Sequence, residues 1–259
     1  MSWTRTYDED EPQRVNRWLA QSGVCSRREA EGLISDGLVS IDGVRVEDVG
    51  RKIARGQTLT LADRGAARLE SKLSVVLHKP VGYVSGQPEP GLIPAVRLLT
   101  AKALVGEAPF IPDAKMSLPP VGRLDMDSRG LLVLSEDGVL AKAVIGPDSE
   151  MDKEYIVRVE GRITSQRLAL LRHGLALDGR QLRPAKVSFA GDQVLKFVLT
   201  EGRNRQIRRM CELVELRVTD LLRTRIGPLE LADLPEGRWR VLTAEERAAM
   251  IAAGGALRR

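Results

Sequence analysis

Aromatic residues make up only 3% of this 259-residue chain, which argues against gripping single-stranded nucleic acid on a broad stacking platform. Cysteine is almost absent: Cys25 and Cys211 lie far apart, outside any CxxC or Cys/His spacing, and there are two histidines. A disulfide framework is excluded, a zinc site is disfavoured, and a reducing, cytoplasmic compartment fits. No run approaches the ~20 apolar residues of a membrane helix, and Met1–Pro12 is polar and acidic, without the apolar core of a signal segment. Met1–Pro12 and Gly254–Arg259 are both expected to fray.

Hydrophobic residues account for 43% of the chain, enough for a real core. The length favours one large and one small domain. Forty basic against thirty-five acidic side chains leave a net charge of +5. An excess this mild matters through its placement, and locally dense arginine points to a polyanion such as nucleic acid.

Residues 13–62 read as a small module. Val15, Trp18 and Leu19 share one face of a short helix over Arg14–Ser22 that stops near Gly23. Ser26-Arg27-Arg28-Glu29 is a capping box opening a second helix, which carries Ala30, Leu33 and Ile34 and ends at Gly37. Alternating apolar residues from Val39 to Val46 flank Asp42-Gly43, a hairpin signal, and Thr58–Leu61 is a further strand. Arg27 and Arg28 fall at a helix start, where backbone amides favour an anion. Arg14-Val-Asn-Arg-Trp-Leu-Ala, Gly23-Val-Cys-Ser-Arg-Arg-Glu-Ala and Gly37-Leu-Val-Ser-Ile-Asp-Gly-Val resemble the S4 RNA-binding domain. That resemblance implies RNA contact by Arg27 and Arg28. Residues 63–72, small and charged, read as a linker.

Residues 73–250 form the second domain, with 251–259 a tail. Val75–Leu77 is a buried strand and His78-Lys79-Pro80-Val81-Gly82 a rigid turn. Gly86–Pro120 is irregular and proline-bearing, with a helix expected around Ala95–Leu104; an ordered insertion and a mobile flap remain equally open. Strands at Lys153–Val159, Lys186–Phe189, Val194–Leu199, Arg217–Ile226 and Arg238–Leu242 mix with helices at Val139–Ile145, Thr164–Arg172, after Arg205 and after Thr243. Without regular βαβ alternation this favours an α+β fold whose sheet is largely antiparallel and mixed, flanked by helices.

The most informative stretch is Gly122-Arg123-Leu124-Asp125-Met126-Asp127-Ser128-Arg129-Gly130-Leu131-Leu132-Val133-Leu134, a polar loop with two carboxylates running into an apolar strand. Gly202–Arg225 holds seven arginines against three acids. Arg203, Arg205, Arg208 and Arg209 cluster at a helix start and could neutralise phosphates. Arg208, next to Ile207, could instead turn inward, where it would need a carboxylate, and Asp125 is the natural candidate.

Four separated motifs now converge: His78-Lys-Pro-Val-Gly; Gly122-Arg-Leu-Asp with Ser128-Arg-Gly-Leu-Leu-Val-Leu-Ser; Lys153-Glu-Tyr-Ile-Val; and Glu201-Gly-Arg-Asn-Arg-Gln-Ile-Arg-Arg-Met. With the S4-like module ahead of them, the chain resembles the RsuA/RluB/RluE/RluF-type pseudouridine synthases over nearly its whole length. Arg223-Thr-Arg-Ile226 looks most like the RluF-like branch acting on large-subunit rRNA, one member of which also modifies a tRNA anticodon arm. The resemblance implies isomerisation of a uridine, in 23S rRNA and in a stem-loop, by a cytoplasmic monomer without cofactor or metal. It makes Asp125 the catalytic aspartate, Tyr155 the ring against the target base, and Arg208 the aspartate's partner. Arg123, Leu124, Met126, Arg205, Gln206 and Ile207 match RNA-contacting positions. Asp127 is expected as a loop cap. Two departures stand out: Glu136 before Asp137-Gly138, where an amide is usual, and the length of Gly86–Pro120. The competing reading is a non-catalytic S4-type RNA-binding or ribosome-assembly factor, which has no need of Asp125, Tyr155 and Arg208 together.

Overall fold

A computed structural model describes residues 3–86, 89–113, 116 and 118–255. The N-terminal part builds a sheet from β1 (Trp3–Thr6), β2 (Val39–Ile41), β3 (Val44–Arg45) and β4 (Thr58–Leu61), with β1 and β2 flanking β4. Helices α1 (Val15–Gln21) and α2 (Arg27–Ser35) cover it. Asp42 and Gly43 both have positive φ, 50° and 78°, the backbone that a two-residue primed turn requires. Tyr7, Val15, Trp18, Leu19, Leu33 and Ile34 belong to one core, in which the Tyr7 ring meets Trp18 edge-on at 5.3 Å.

Two expectations fail here. Residues 3–12 are not a frayed end: β1 pairs with β4 from Trp3↔Leu61 to Thr6↔Thr58, and Tyr7 is buried. Nor is 63–72 a plain linker. Asp63–Glu70 is a helix, α3, whose Ala66 joins the N-terminal core. Burial of that small-residue face decided the outcome, which composition alone does not report. Of the expected C-terminal fraying, Gly254 caps the last helix and 256–259 lie outside the described residues.

The larger part is one mixed sheet. Its strands are β5 (Ser74–Lys79), β6 (Arg129–Ser135), β7 (Lys153–Glu160), β8 (Lys186–Gly191), β9 (Val194–Leu199), β10 (Arg217–Ile226) and β11 (Trp239–Val241). They run in the order β8-β9-β7-β10-β6-β5-β11, and Leu229–Glu230 adds an eighth strand on β10. Neighbours are antiparallel except β6 and β10, which pair in parallel through Arg129↔Leu222 and Gly130↔Arg223. At that crossing a Cβ on Gly130 would stand 2.3 Å from the Arg223 carbonyl oxygen, so only glycine fits.

Both faces of the sheet are covered, which explains the unbroken apolar run in β6. Leu132 and Leu134 face one core with Ile207, Met210 and Leu168; Leu131 and Val133 face another with Leu140, Val144 and Met250. The first layer therefore contains α5 (Ser165–Arg172) and α6 (Gln206–Leu213), the second α4 (Gly138–Ile145) and α7 (Ala244–Ala253). The stretch 86–120 is, where described, an ordered insertion. Ile93–Pro94 pairs with Tyr83–Val84, Ala95, Leu99 and Leu118 are buried in the main core, and Trp239 Nε1 donates to Thr100 O at 2.8 Å. The single expected helix is two 3₁₀ turns, Ala95–Leu98 and Ala101–Ala103.

Candidate active site

The loop Gly122–Ser128 leads into β6, and its backbone is held by buried polar side chains from three other elements. Ser85 Oγ donates to Leu124 O at 2.7 Å and accepts from Leu124 N at 2.9 Å. Lys79 Nζ donates to Ser128 O at 2.7 Å. Arg223, 1% exposed, donates through Nε to Leu131 O at 2.8 Å and through Nη1 to Arg123 O at 3.2 Å. A loop so tied presents its side chains in a set direction. The sequence motifs do not mark Ser85 or Arg223 as part of the site. The signal for Arg223 is an arginine at an inward position of a strand, two residues from buried Leu221.

Asp125 opens onto a cleft of about 670 Å³ whose lining includes Leu124, Tyr155, Ile207, Arg208 and Arg223. Tyr155 comes from β7 and is nearly buried, as are Leu124 and Ile207. The structure thus brings together side chains of the loop, of β7 and of α6, which are far apart in sequence. Lys153 also lines the cleft and donates to Met151 O at 2.9 Å. Burial pushes its ammonium down to about 8, and the neighbouring Arg223 charge adds to this. Burial likewise pushes Lys79 to about 8, against the pull of Asp127 and Asp125.

The partner expected for Asp125 is different. Arg208 turns inward, but it donates to Asp127 O at 2.6 Å, and its Nε lies 3.3 Å from Asp127 Oδ2, out of line for a hydrogen bond. Arg205 holds Asp127 in a fork at 3.1 and 2.9 Å and stands 3.8 Å from Asp125 Oδ2. Asp127 is therefore not a simple loop cap but the carboxylate of the arginine pair. Burial tends to raise its carboxyl, and the Arg205 hydrogen bonds with the Arg208 and Arg205 charges outweigh that and hold it below the ordinary carboxylate range. The reason lies in the backbone: Arg205 is left-handed at the cap of α6, φ 48°, which aims it across to the loop.

The rest of the cluster also turns to the protein. Arg203 donates to the carbonyls of Leu177 and Gln181 at 3.1 and 2.9 Å, and Arg209 forks onto Asp178 at 3.0 and 2.6 Å. Gln206 is buried, accepting from Arg203 N at 2.9 Å and donating to Glu201 at 3.1 Å. Arg123 and Met126 are exposed beside Asp125. Arg27 and Arg28 are exposed on α2, away from the cleft lining. Two of the amides at this helix start are satisfied from within the capping box. Ser26 Oγ accepts from Glu29 N, and Glu29 returns to Ser26 N, so the helix caps itself. The two thiols are buried, Cys25 and Cys211 both being pushed up to about 12 by burial. Among the described residues, no helix is long and apolar enough to cross a membrane and no acidic, histidine or cysteine group could hold a metal.

Comparison with known proteins bears on this geometry. The family model described as RNA pseudouridylate synthase matches residues 73–213, and the S4 domain model matches residues 13–59. The dual-specificity RNA pseudouridine synthase RluF of Salmonella typhi is 34% identical over 242 residues, covering 92% of this chain and 78% of the relative. The ribosomal large subunit pseudouridine synthase B of Bacillus subtilis is 32% identical over 241 residues, covering 90% of this chain and 93% of the relative. A crystal structure of a pseudouridylate synthase, 24% identical, superposes with a TM-score of 0.63 over 92% of this chain and 99% of its own, a likeness of fold.

Proposed function

The chain belongs to the RNA pseudouridylate synthase family and is an RNA-acting isomerase; from that premise we propose that it converts a uridine of large-subunit (23S) rRNA to pseudouridine, with Asp125 as its catalytic carboxylate. The name of the Bacillus subtilis relative, and the motif around Arg223, support rRNA as the substrate. The dual specificity in the name of the Salmonella typhi relative makes a tRNA anticodon-arm uridine the second substrate to test. We take residues 13–62 as the RNA-gripping module, 63–72 as its connection and 73–250 as the catalytic domain, acting as a cytoplasmic monomer on a stem-loop.

The observation that carries this reading is the division of labour between two carboxylates of one loop. Asp127 is engaged by Arg205 and Arg208, whereas Asp125 accepts no hydrogen bond from a described side chain and faces the cleft beside Tyr155. A carboxylate next to a ring, with Arg205 3.8 Å away as its counter-charge and no hydrogen bond from a described side chain occupying its oxygens, is what the isomerisation needs. The N1–C1′ bond must break, the base must turn, a C5–C1′ bond must form, and the C5 proton must leave while N1 gains one. Asp125 can enter as nucleophile at C1′ or as base at the sugar, and both roles use an oxygen lone pair directed into the cleft. Tyr155 offers a flat face to the flipped base. Leu124 and Ile207 shed water from the detached base. The exposure of Arg123 and Met126 beside Asp125, and of Arg27 and Arg28 on the module, supports a role for them in holding the flanking RNA.

The test is Asp125→Asn. Pseudouridine formation on rRNA from a strain lacking this protein, read by mass spectrometry, should vanish while filter-binding affinity stays within about twofold, since little ground-state binding is removed. Retained turnover would sink the assignment. Mapping pseudouridine in the rRNA and tRNA of that strain identifies the uridine and separates this reading from a non-catalytic assembly factor.

A further inference from the structure

Two helices from different parts of the molecule begin against each other. α2 starts at Ser26 in the N-terminal module, and α4 starts at Gly138, directly after the strand that follows the Asp125 loop. Asp137 caps α4 by accepting from Val139 N and Leu140 N at 2.9 and 3.2 Å. The Gly138 amide, which has no partner inside its own helix, donates instead to Glu29 Oε1 at 3.1 Å. The same Glu29 closes the α2 capping box through Ser26 N and is ion-paired to Lys72, both charged side chains being 16% exposed. Burial raises the Glu29 carboxyl, but Lys72 and the Ser26 and Gly138 amides together bring it below the ordinary carboxylate range. The fit is close. A Cβ on Gly138 would lie 2.4 Å from Ser26 Cβ and 2.5 Å from Ser26 Oγ.

We propose that Glu29 is a positioning residue: with Ser26, Lys72 and Gly138 it locks the RNA-binding module onto the catalytic domain at one angle, so that RNA held at Arg27 and Arg28 meets Asp125 in a set register. The RNA part of this statement rests on the function proposed above; the lock does not. The physical reason for a lock is that two binding surfaces joined by a loose hinge sample many orientations, few of them productive. A fixed joint concentrates the productive one and strengthens binding without adding an interaction to the RNA. It also gives Asp137-Gly138 a reason beyond helix capping, since a side chain at Gly138 would prise the two helices apart.

The experiment uses the full chain. Gly138→Ala is compatible with a helix, because Gly138 is not among the positive-φ residues, and the added methyl meets Ser26. Small-angle scattering should show a larger maximum dimension, and KM for large-subunit rRNA from a strain lacking the protein should rise about tenfold with kcat unchanged. The double variant Ser26→Gly with Gly138→Ala removes the two closest colliding atoms, leaving only the movable Glu29 carboxylate oxygen at 2.9 Å, and should restore both in large part. Glu29→Gln, which keeps the shape but loses the Lys72 pairing, should shift both readouts in the same direction and carries the test if Gly138→Ala does not fold. Unchanged scattering and KM in both single variants would overturn the lock. So would a fall in kcat that the double variant fails to rescue. If even the parent forms no pseudouridine on this RNA, the substrate reading has failed, and the scattering alone decides the lock.

Discussion

Two helix starts in this protein carry clustered arginines, and they behave in opposite ways. At the start of α2, Arg27 and Arg28 are exposed and unpaired among the described residues, beside a capping box in which Ser26 and Glu29 satisfy each other's amides. Around the start of α6, Arg203, Arg205, Arg208 and Arg209 all bind protein acceptors. The difference teaches that arginine density has two physical readings. A guanidinium's five donors can grip phosphates, or they can satisfy the carbonyls and carboxylates of loops that lack regular secondary structure. The cleft here is built from such loops, so its arginines are scaffolding first.

The comparison can be broken or sharpened by substitution. The largest effect is expected at Arg223, the extreme scaffolding case. Arg223→Met leaves the carbonyls of Leu131, Arg123 and Gly122 unmatched, lowering the unfolding free energy by roughly 3 kcal/mol at about 1 kcal/mol per hydrogen bond. Turnover should fall with it, read by urea melts and pseudouridine assay, because the Asp125 loop loses an anchor. A fully stable, active variant would mean the loop is held elsewhere.

The opposite pattern is expected on α2. Arg27→Ala with Arg28→Ala should leave stability within about 0.5 kcal/mol. RNA affinity should fall about tenfold, and the slope of log affinity against log salt should flatten by roughly 0.7–0.9 for each phosphate no longer neutralised. Arg203→Ala should do the reverse, lowering the melting temperature and leaving the salt slope unchanged. If both behave alike, the two arginine clusters do not differ in role.

Smaller is the effect at Arg205, where a pair this exposed contributes no more than about 1 kcal/mol. Its left-handed backbone allows a cleaner test. Arg205→Ala and Arg205→Gly both lose the fork onto Asp127, yet the glycine variant should be the more stable, by about 1 kcal/mol, since only it adopts that backbone freely. Smallest is a pH effect at Lys153. Its folded pKa of about 8 lies below the 10.5 of the unfolded chain, so between those values the unfolded state binds more protons and stability rises with pH. Urea melts across that window should show a shallower slope in Lys153→Met than in the parent. The difference should be a fraction of the ~1.4 kcal/mol per pH unit available to one proton, because the side chain is only half-buried.

Much of the fold could be read from local chemistry. Both capping boxes, at Ser26 and Thr243, form as read, because they need only four consecutive residues. The Asp42-Gly43 hairpin and the alternation of Lys153–Val159 hold for the same reason. The segments that sequence misassigned or left open share a cause too. Asp63–Glu70 is a helix, and the described residues of 86–120 are an ordered insertion, because Ala66, Ala95, Leu99 and Leu118 find distant apolar partners. Periodicity within a short segment says nothing about what lies opposite it.

The sequence by itself determined the two-part organisation, the α+β class and the residue types that converge on the cleft, since composition, caps and apolar patterning act over a few residues at a time. Only the tertiary structure decided which acid each arginine holds, that Ser85, Lys79 and Arg223 set the Asp125 loop, and that Glu29 meets Gly138. Those pairings at the cleft and the joint link residues 31 to 109 positions apart. An ionic or hydrogen-bonded partner is chosen there by the direction of a backbone and the burial of a carbonyl, and neither quantity exists until the chain has closed on itself.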